Sequence, residues 1–70
     1  MSIKYYKLLD LLNKRKISKG RLQEMADISS ATMAKISAGK PVSLEVINRI
    51  CKALQVQPGD ILEYVEENNE

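Results

Sequence analysis

Apolar residues return at three- and four-residue steps through most of the chain, the period of helices rather than strands. Leu8, Leu11 and Leu12 share one face of a segment predicted over about 3–15, with Lys and Asn on the other face. Ile17 interrupts it, and Ser18 is placed to cap the next helix. That second helix is predicted over about Lys19–Ala26, with Leu22, Met25 and Ala26 facing inward. Asp27-Ile28-Ser29 then breaks it. Asp27 tolerates the left-handed conformation that ends a helix better than most residues. Ser29 is a good N-cap for a third helix over about Ser30–Ser37, which Gly39 and Pro41 stop. Ser43 caps a fourth, with Glu45 in its first turn and an apolar stripe of Leu44, Ile47, Ile50, Cys51 and Leu54. Gln57-Pro58-Gly59-Asp60 predicts the start of a short fifth helix. Ile61, Leu62 and Val65 would return from it to the core, and 66–70 would fray. No segment shows period-two alternation. The expected fold is therefore all-α, a compact five-helix bundle forming one domain over 1–70.

Charge sharpens this picture through its distribution. The net charge is only +2. Residues 1–59 hold all eleven Lys and Arg against four acids (Asp10, Glu24, Asp27, Glu45), a net +7, and residues 60–70 hold five acids and no base, a net −5. The bases concentrate at Lys14, Arg15, Lys16, Lys19 and Arg21. Such a cluster on a small domain is the electrostatic footprint of a nucleic-acid binder. On charge alone an ordinary solvated surface fits equally well.

The second and third helices decide more. Joined by three residues, they must cross steeply, as a helix-turn-helix unit does over about 19–37. Such a unit needs apolar residues on both helices and in the turn, and Leu22, Ala26, Ile28, Met33 and Ile36 stand there. Ile28 is the informative one, because a solvent loop has no use for it. On a wheel of the third helix, Met33 and Ile36 fall inward with Ser29 and Thr32 flanking them. Ser30, Ala31, Ala34, Lys35 and Ala38 fall outward. This face is small, polar or basic, and no acid occurs between Asp27 and Glu45. Small side chains let a helix sink into the major groove, hydroxyls and methyls meet base edges, and lysine reaches guanine or phosphate. The candidate base contacts are Ser30, Ala31, Ala34 and Lys35. The candidate phosphate contacts are Lys19 and Gly20 at the start of the second helix, Ser29 at the turn, and Lys40 in the loop after the third. Gly20 is also consistent with a plain loop residue.

These residues resemble a known family. The run from Leu22 through Ala26-Asp27-Ile28-Ser29-Ser30-Ala31-Thr32-Met33-Ala34-Lys35-Ile36 is similar to the lambda-repressor-like, Cro/XRE-type DNA-binding domain. So are Val42-Ser43-Leu44-Glu45-Val46-Ile47 through Leu54, and Pro58-Gly59-Asp60-Ile61-Leu62. The resemblance implies a phosphate contact at Lys19, base contacts at Ser30 and Ala31 with Lys35 one turn on, and a homodimer on double-stranded operator DNA. Gln23 stands where the family often has Ala, and Asp27 where it often has Gly. Both departures predict a slightly opened turn.

Two other classes compete. One is a protein-interaction module on the same fold, an antitoxin, adaptor or antirepressor, for which Tyr64, Val65 and the acidic tail could serve a partner. The other is an enzyme, which the composition opposes. There is no histidine, Cys51 lies on an apolar stripe, no Cys/His zinc set exists, and Gly20, Gly39 and Gly59 are too scattered to cradle a phosphate. No cofactor, metal or small-molecule substrate is expected. A lone cysteine suits a reducing, cytoplasmic setting, and neither a signal peptide nor a membrane-length apolar run is visible.

Overall fold

Three serines start three of the helices. In the computed structural model, which describes residues 2–66, Ser18, Ser29 and Ser43 are all extended, and each side chain accepts the backbone N–H three residues on, from Arg21, Thr32 and Val46. A helix start leaves such N–H groups without partners, so the hydroxyl satisfies one and marks the first turn. The helices are α1 (Tyr6–Arg15), α2 (Lys19–Ala26), α3 (Ser30–Ser37) and α4 (Leu44–Leu54). α1, α2 and α4 end on non-glycine residues in the left-handed conformation, Lys16 (φ 58°), Asp27 (φ 55°) and Gln55 (φ 58°). α3 ends instead through Ala38 into Gly39, whose φ of 74° turns the chain toward Pro41.

The expected fifth helix is absent. Pro58–Asp60 forms a single 3₁₀ turn, closed by Ile61 N–H on the Pro58 carbonyl and by Asp60 Oδ2, which accepts the Gln57 N–H at 2.9 Å. Beyond it the chain runs extended as β2 (Glu63–Tyr64), antiparallel to β1 (Ile3–Lys4) in the register Ile3↔Tyr64 and Lys4↔Glu63. The Val65 N–H closes the ladder on the Ser2 carbonyl at 2.8 Å. α1 accordingly begins at Tyr6 rather than at residue 3, because 3 and 4 are engaged in the sheet. Among the described residues the fold is four helices with a small two-stranded sheet, not a five-helix bundle.

One core joins these elements: Tyr5, Leu8, Leu12, Leu22, Ala26, Met33, Ile36, Ile47, Ile50, Leu54 and Ile61 are buried. Ile17, Ile28, Cys51 and Leu62 pack against it half-buried. α4 supplies three of the buried side chains and packs chiefly on α2. Three residues expected inside are not: Val65, half-buried in the extended segment after β2, does not join the core, and two more lie open. Met25 is 36% exposed and Leu44 83% exposed. Leu22 and Ala26, one turn apart, already define the inward edge of the short α2, which leaves Met25 at the side. Leu44 is the first residue of α4 and projects beyond the layer that Ile47 enters. Among the described residues no helix is long and apolar enough to cross a membrane. The end of the expected frayed tail, 67–70, lies outside the described residues.

Candidate nucleic-acid interface

The turn between α2 and α3 is built from three residues with separate tasks. Asp27 reverses the chain in the left-handed region, and its N–H and that of Ile28 both reach the Gln23 carbonyl. Ile28 packs against the core. Ser29 caps α3, accepting from Thr32 N–H at 3.1 Å and donating its hydroxyl hydrogen to Thr32 Oγ1 at 2.9 Å. That hydroxyl is committed internally, so a phosphate at Ser29 would have to displace Thr32 to receive it.

α3 divides as its wheel requires. Met33 and Ile36 are buried, while Ser30, Ala31, Ala34 and Lys35 are all exposed. The structure thus places the four candidate base-contacting residues together on one open face. At the starts of α2 and α3 the bonds to Ser18 and Ser29 occupy Arg21, Leu22, Thr32 and Met33 N–H groups. The N–H groups of Lys19, Gly20, Ser30 and Ala31 have no acceptor among the described residues. Helix N-termini with free N–H groups and a positive dipole end are suited to anions. At Gly20 a Cβ would meet no protein atom within 4 Å, so packing does not call for glycine, and open space lies beside its backbone.

The cations sort by partner. Lys14 pairs with Asp10 at 3.1 Å, Arg21 with Glu24 at 3.3 Å, and Arg15 donates to the Leu54 carbonyl at 2.8 Å, capping α4. Lys19, Lys35 and Lys40 enter no ion pair among the described residues. The loop that carries Lys40 is anchored: its N–H reaches the Lys35 carbonyl at 2.8 Å, and its carbonyl accepts the Tyr5 hydroxyl at 2.7 Å. Burial raises the pKa of that phenol, partly offset by a backbone hydrogen bond at Val42, and the net upward shift favours the protonated form that donates to Lys40.

Two contributors escaped the sequence. Tyr5 holds the Lys40 loop, and Arg49 of α4 donates to the Asp27 carbonyl in the turn at 2.7 Å. Both partners are main-chain atoms far away in sequence, so no residue pattern announces them. Cys51 is half-buried, and burial, then the Asp60 carboxylate, push its thiol pKa up and disfavour the nucleophilic thiolate. Among the described residues no cluster of His, Cys, Asp or Glu could hold a metal.

Two short helices joined by three residues, a turn residue half-buried against the core, and an open, acid-free second helix define a helix-turn-helix unit. The chain belongs to the family of Cro/C1-type HTH DNA-binding domains, whose sequence model matches residues 7–67. It is 45% identical over 56 residues to YozG of Bacillus subtilis (strain 168), named an uncharacterized HTH-type transcriptional regulator, a match covering 77% of this chain and 67% of that protein. Its fold is similar to the crystal structure of the transcriptional regulator VanUg, with a TM-score of 0.88 and 39% identity over 94% of this chain and 88% of that one.

Proposed function

We propose that this chain is a transcriptional regulator that binds double-stranded DNA sequence-specifically, with α3 in the major groove. The observation that carries this reading is the exposed face of α3. Ser30, Ala31, Ala34 and Lys35 stand together on it, with no acid and no internal ion pair to compete for DNA. Ser30 offers a hydroxyl to base edges, the alanines offer methyls to thymine, and Lys35 donates to guanine or phosphate. Lys19, the free N–H groups beside Gly20, and Lys40 grip the phosphates that set the register, with Ser29 at the edge of the same surface. One eight-residue helix spans too few base pairs to select a site alone. Two copies on a two-fold operator supply the missing specificity.

The test is fluorescence anisotropy of the full chain over a range of salt. The probes are a duplex that the chain itself selects from a random-sequence pool and a scrambled duplex of equal composition. The selected duplex should bind tighter, and affinity should fall steeply with salt, the slope growing by about 0.9 per phosphate neutralised. Failure to enrich or bind any duplex at low salt would reject this reading. It would favour a protein-interaction module instead, for which Leu44, 83% exposed, and Tyr64, 67% exposed, are the supporting feature.

A further inference from the structure

The turn that launches α3 is held from outside the helix-turn-helix unit. Arg49 Nη1 donates to the Asp27 main-chain carbonyl at 2.7 Å and lies 3.7 Å from Asp27 Oδ2. Arg49 Nε donates to Glu45 Oε2 at 3.0 Å, one turn back along α4. Asp27 closes α2, and the last carbonyls of a helix lack intrahelical donors. A guanidinium there supplies one and complements the negative end of the dipole. The planar fork lets one side chain hold Glu45 on one edge and Asp27 on the other, a geometry that a lysine ammonium does not reproduce.

Ile28 packs the turn against the core from one side, and Arg49 holds it from the other, where apolar packing is incomplete. A cleft of about 430 Å³, lined by Met25, Asp27, Arg49 and Ala53 among others, opens between the end of α2 and α4. Arg49 reaches across at the one place where the chain leaves α2. From Asp27, only Ile28 separates the clamped residue from Ser29, the cap of α3. With so short a connection, the orientation of the Asp27 peptide governs the direction in which α3 sets out. The Arg49 side chain is 43% exposed, so its ion pairs add little to global stability.

We propose that Arg49 is a positioning residue for DNA reading: through the Asp27 carbonyl it sets the angle at which α3 is presented, without itself touching DNA. This rests on α3 being the reading helix, so the test separates the two claims.

Wild type, Arg49→Gln and Arg49→Lys are compared as full chains by amide hydrogen exchange, thermal melting and anisotropy, using the selected and scrambled duplexes. In Arg49→Gln the amides of Ile28, Thr32 and Met33, each hydrogen-bonded across the turn or cap, should exchange about fivefold faster, while Leu9 in α1 is unchanged. The affinity ratio of selected to scrambled duplex should fall about fivefold, with the salt slope intact. Arg49→Lys should resemble Arg49→Gln. The proposal is overturned by unchanged exchange at the turn, or by faster exchange at Leu9 and the turn alike with a lowered melting point. Full rescue by lysine overturns it too, as does a salt slope reduced by about one with the ratio preserved, which marks a direct phosphate contact. Should the wild type show no duplex preference, the DNA reading itself falls, and the exchange data still decide whether Arg49 holds the turn.

Discussion

α3 and α4 begin in the same way. Each follows a serine whose hydroxyl accepts a backbone N–H three residues on, at 3.1 Å in α3 and 3.2 Å in α4. Beyond the cap they diverge. α4 buries Ile47, Ile50 and Leu54, has an acid in its first turn, and pairs Glu45 with Arg49. α3 buries only Met33 and Ile36, carries no acid, and leaves its lysine without a charged partner among the described residues. Capping therefore says where a helix starts and nothing about its role. The role shows in how much of the surface is used within the fold. α4 uses its own surface to hold the domain together, and α3 keeps its outer face free.

The largest effects should come from the face that both helices share with the core. Met33→Asp and Ile50→Asp each bury an unpaired charge, which costs several kcal/mol, against a total stability of about 5–15 kcal/mol for a small domain. Both variants should lose the cooperative thermal transition in circular dichroism. A folded Met33→Asp chain would mean that α3 is not anchored as described.

The caps should give a smaller and equal effect. Ser29→Ala and Ser43→Ala each remove one side-chain hydrogen bond to a helix start and should each cost about 1 kcal/mol. In thermal melts that is a fall of roughly 4–8 °C for a domain of this size. They should part company on DNA. At a temperature where both variants are folded, Ser29→Ala should weaken binding to the selected duplex and Ser43→Ala should not. Equal DNA losses would erase the difference between the two helices.

Local signals made much of this legible in the sequence. Ser18, Ser29 and Ser43 act on the residues immediately after them, so the starts of α2, α3 and α4 could be read directly. Met33 and Ile36 against Ser30, Ala31, Ala34 and Lys35 is a pattern of one helix, and its exposed face followed from period alone. What stayed hidden depends on distant partners. β1 and β2 are two residues each, too short for alternation to show, and exist because residues 3–4 and 63–64 meet across the length of the chain. Pro58-Gly59-Asp60 carries valid helix-start chemistry, but the pairing of Glu63 and Tyr64 ends the turn after one cycle. Met25 and Leu44 fall at helical spacing, yet periodicity does not say whether another element covers the face. Arg49 and Tyr5 bind carbonyls, which no side-chain pattern encodes. The base and phosphate roles rest on the exposed face and its free N–H groups.

The most direct test of the contrast between the helices uses Lys35 of α3 and Lys52 of α4. Both are exposed and neither enters an ion pair among the described residues, so replacing either with alanine removes one charge from the same protein. Anisotropy with the selected duplex at fixed salt then isolates position from charge. Lys35→Ala should weaken binding about tenfold, as loss of a base or phosphate contact does, with a melting temperature close to wild type. Lys52→Ala should change affinity by less than about twofold, the residue of a screened long-range field. Equal losses at the two positions, or a larger loss at Lys52, would contradict the assignment of α3 as the reading helix.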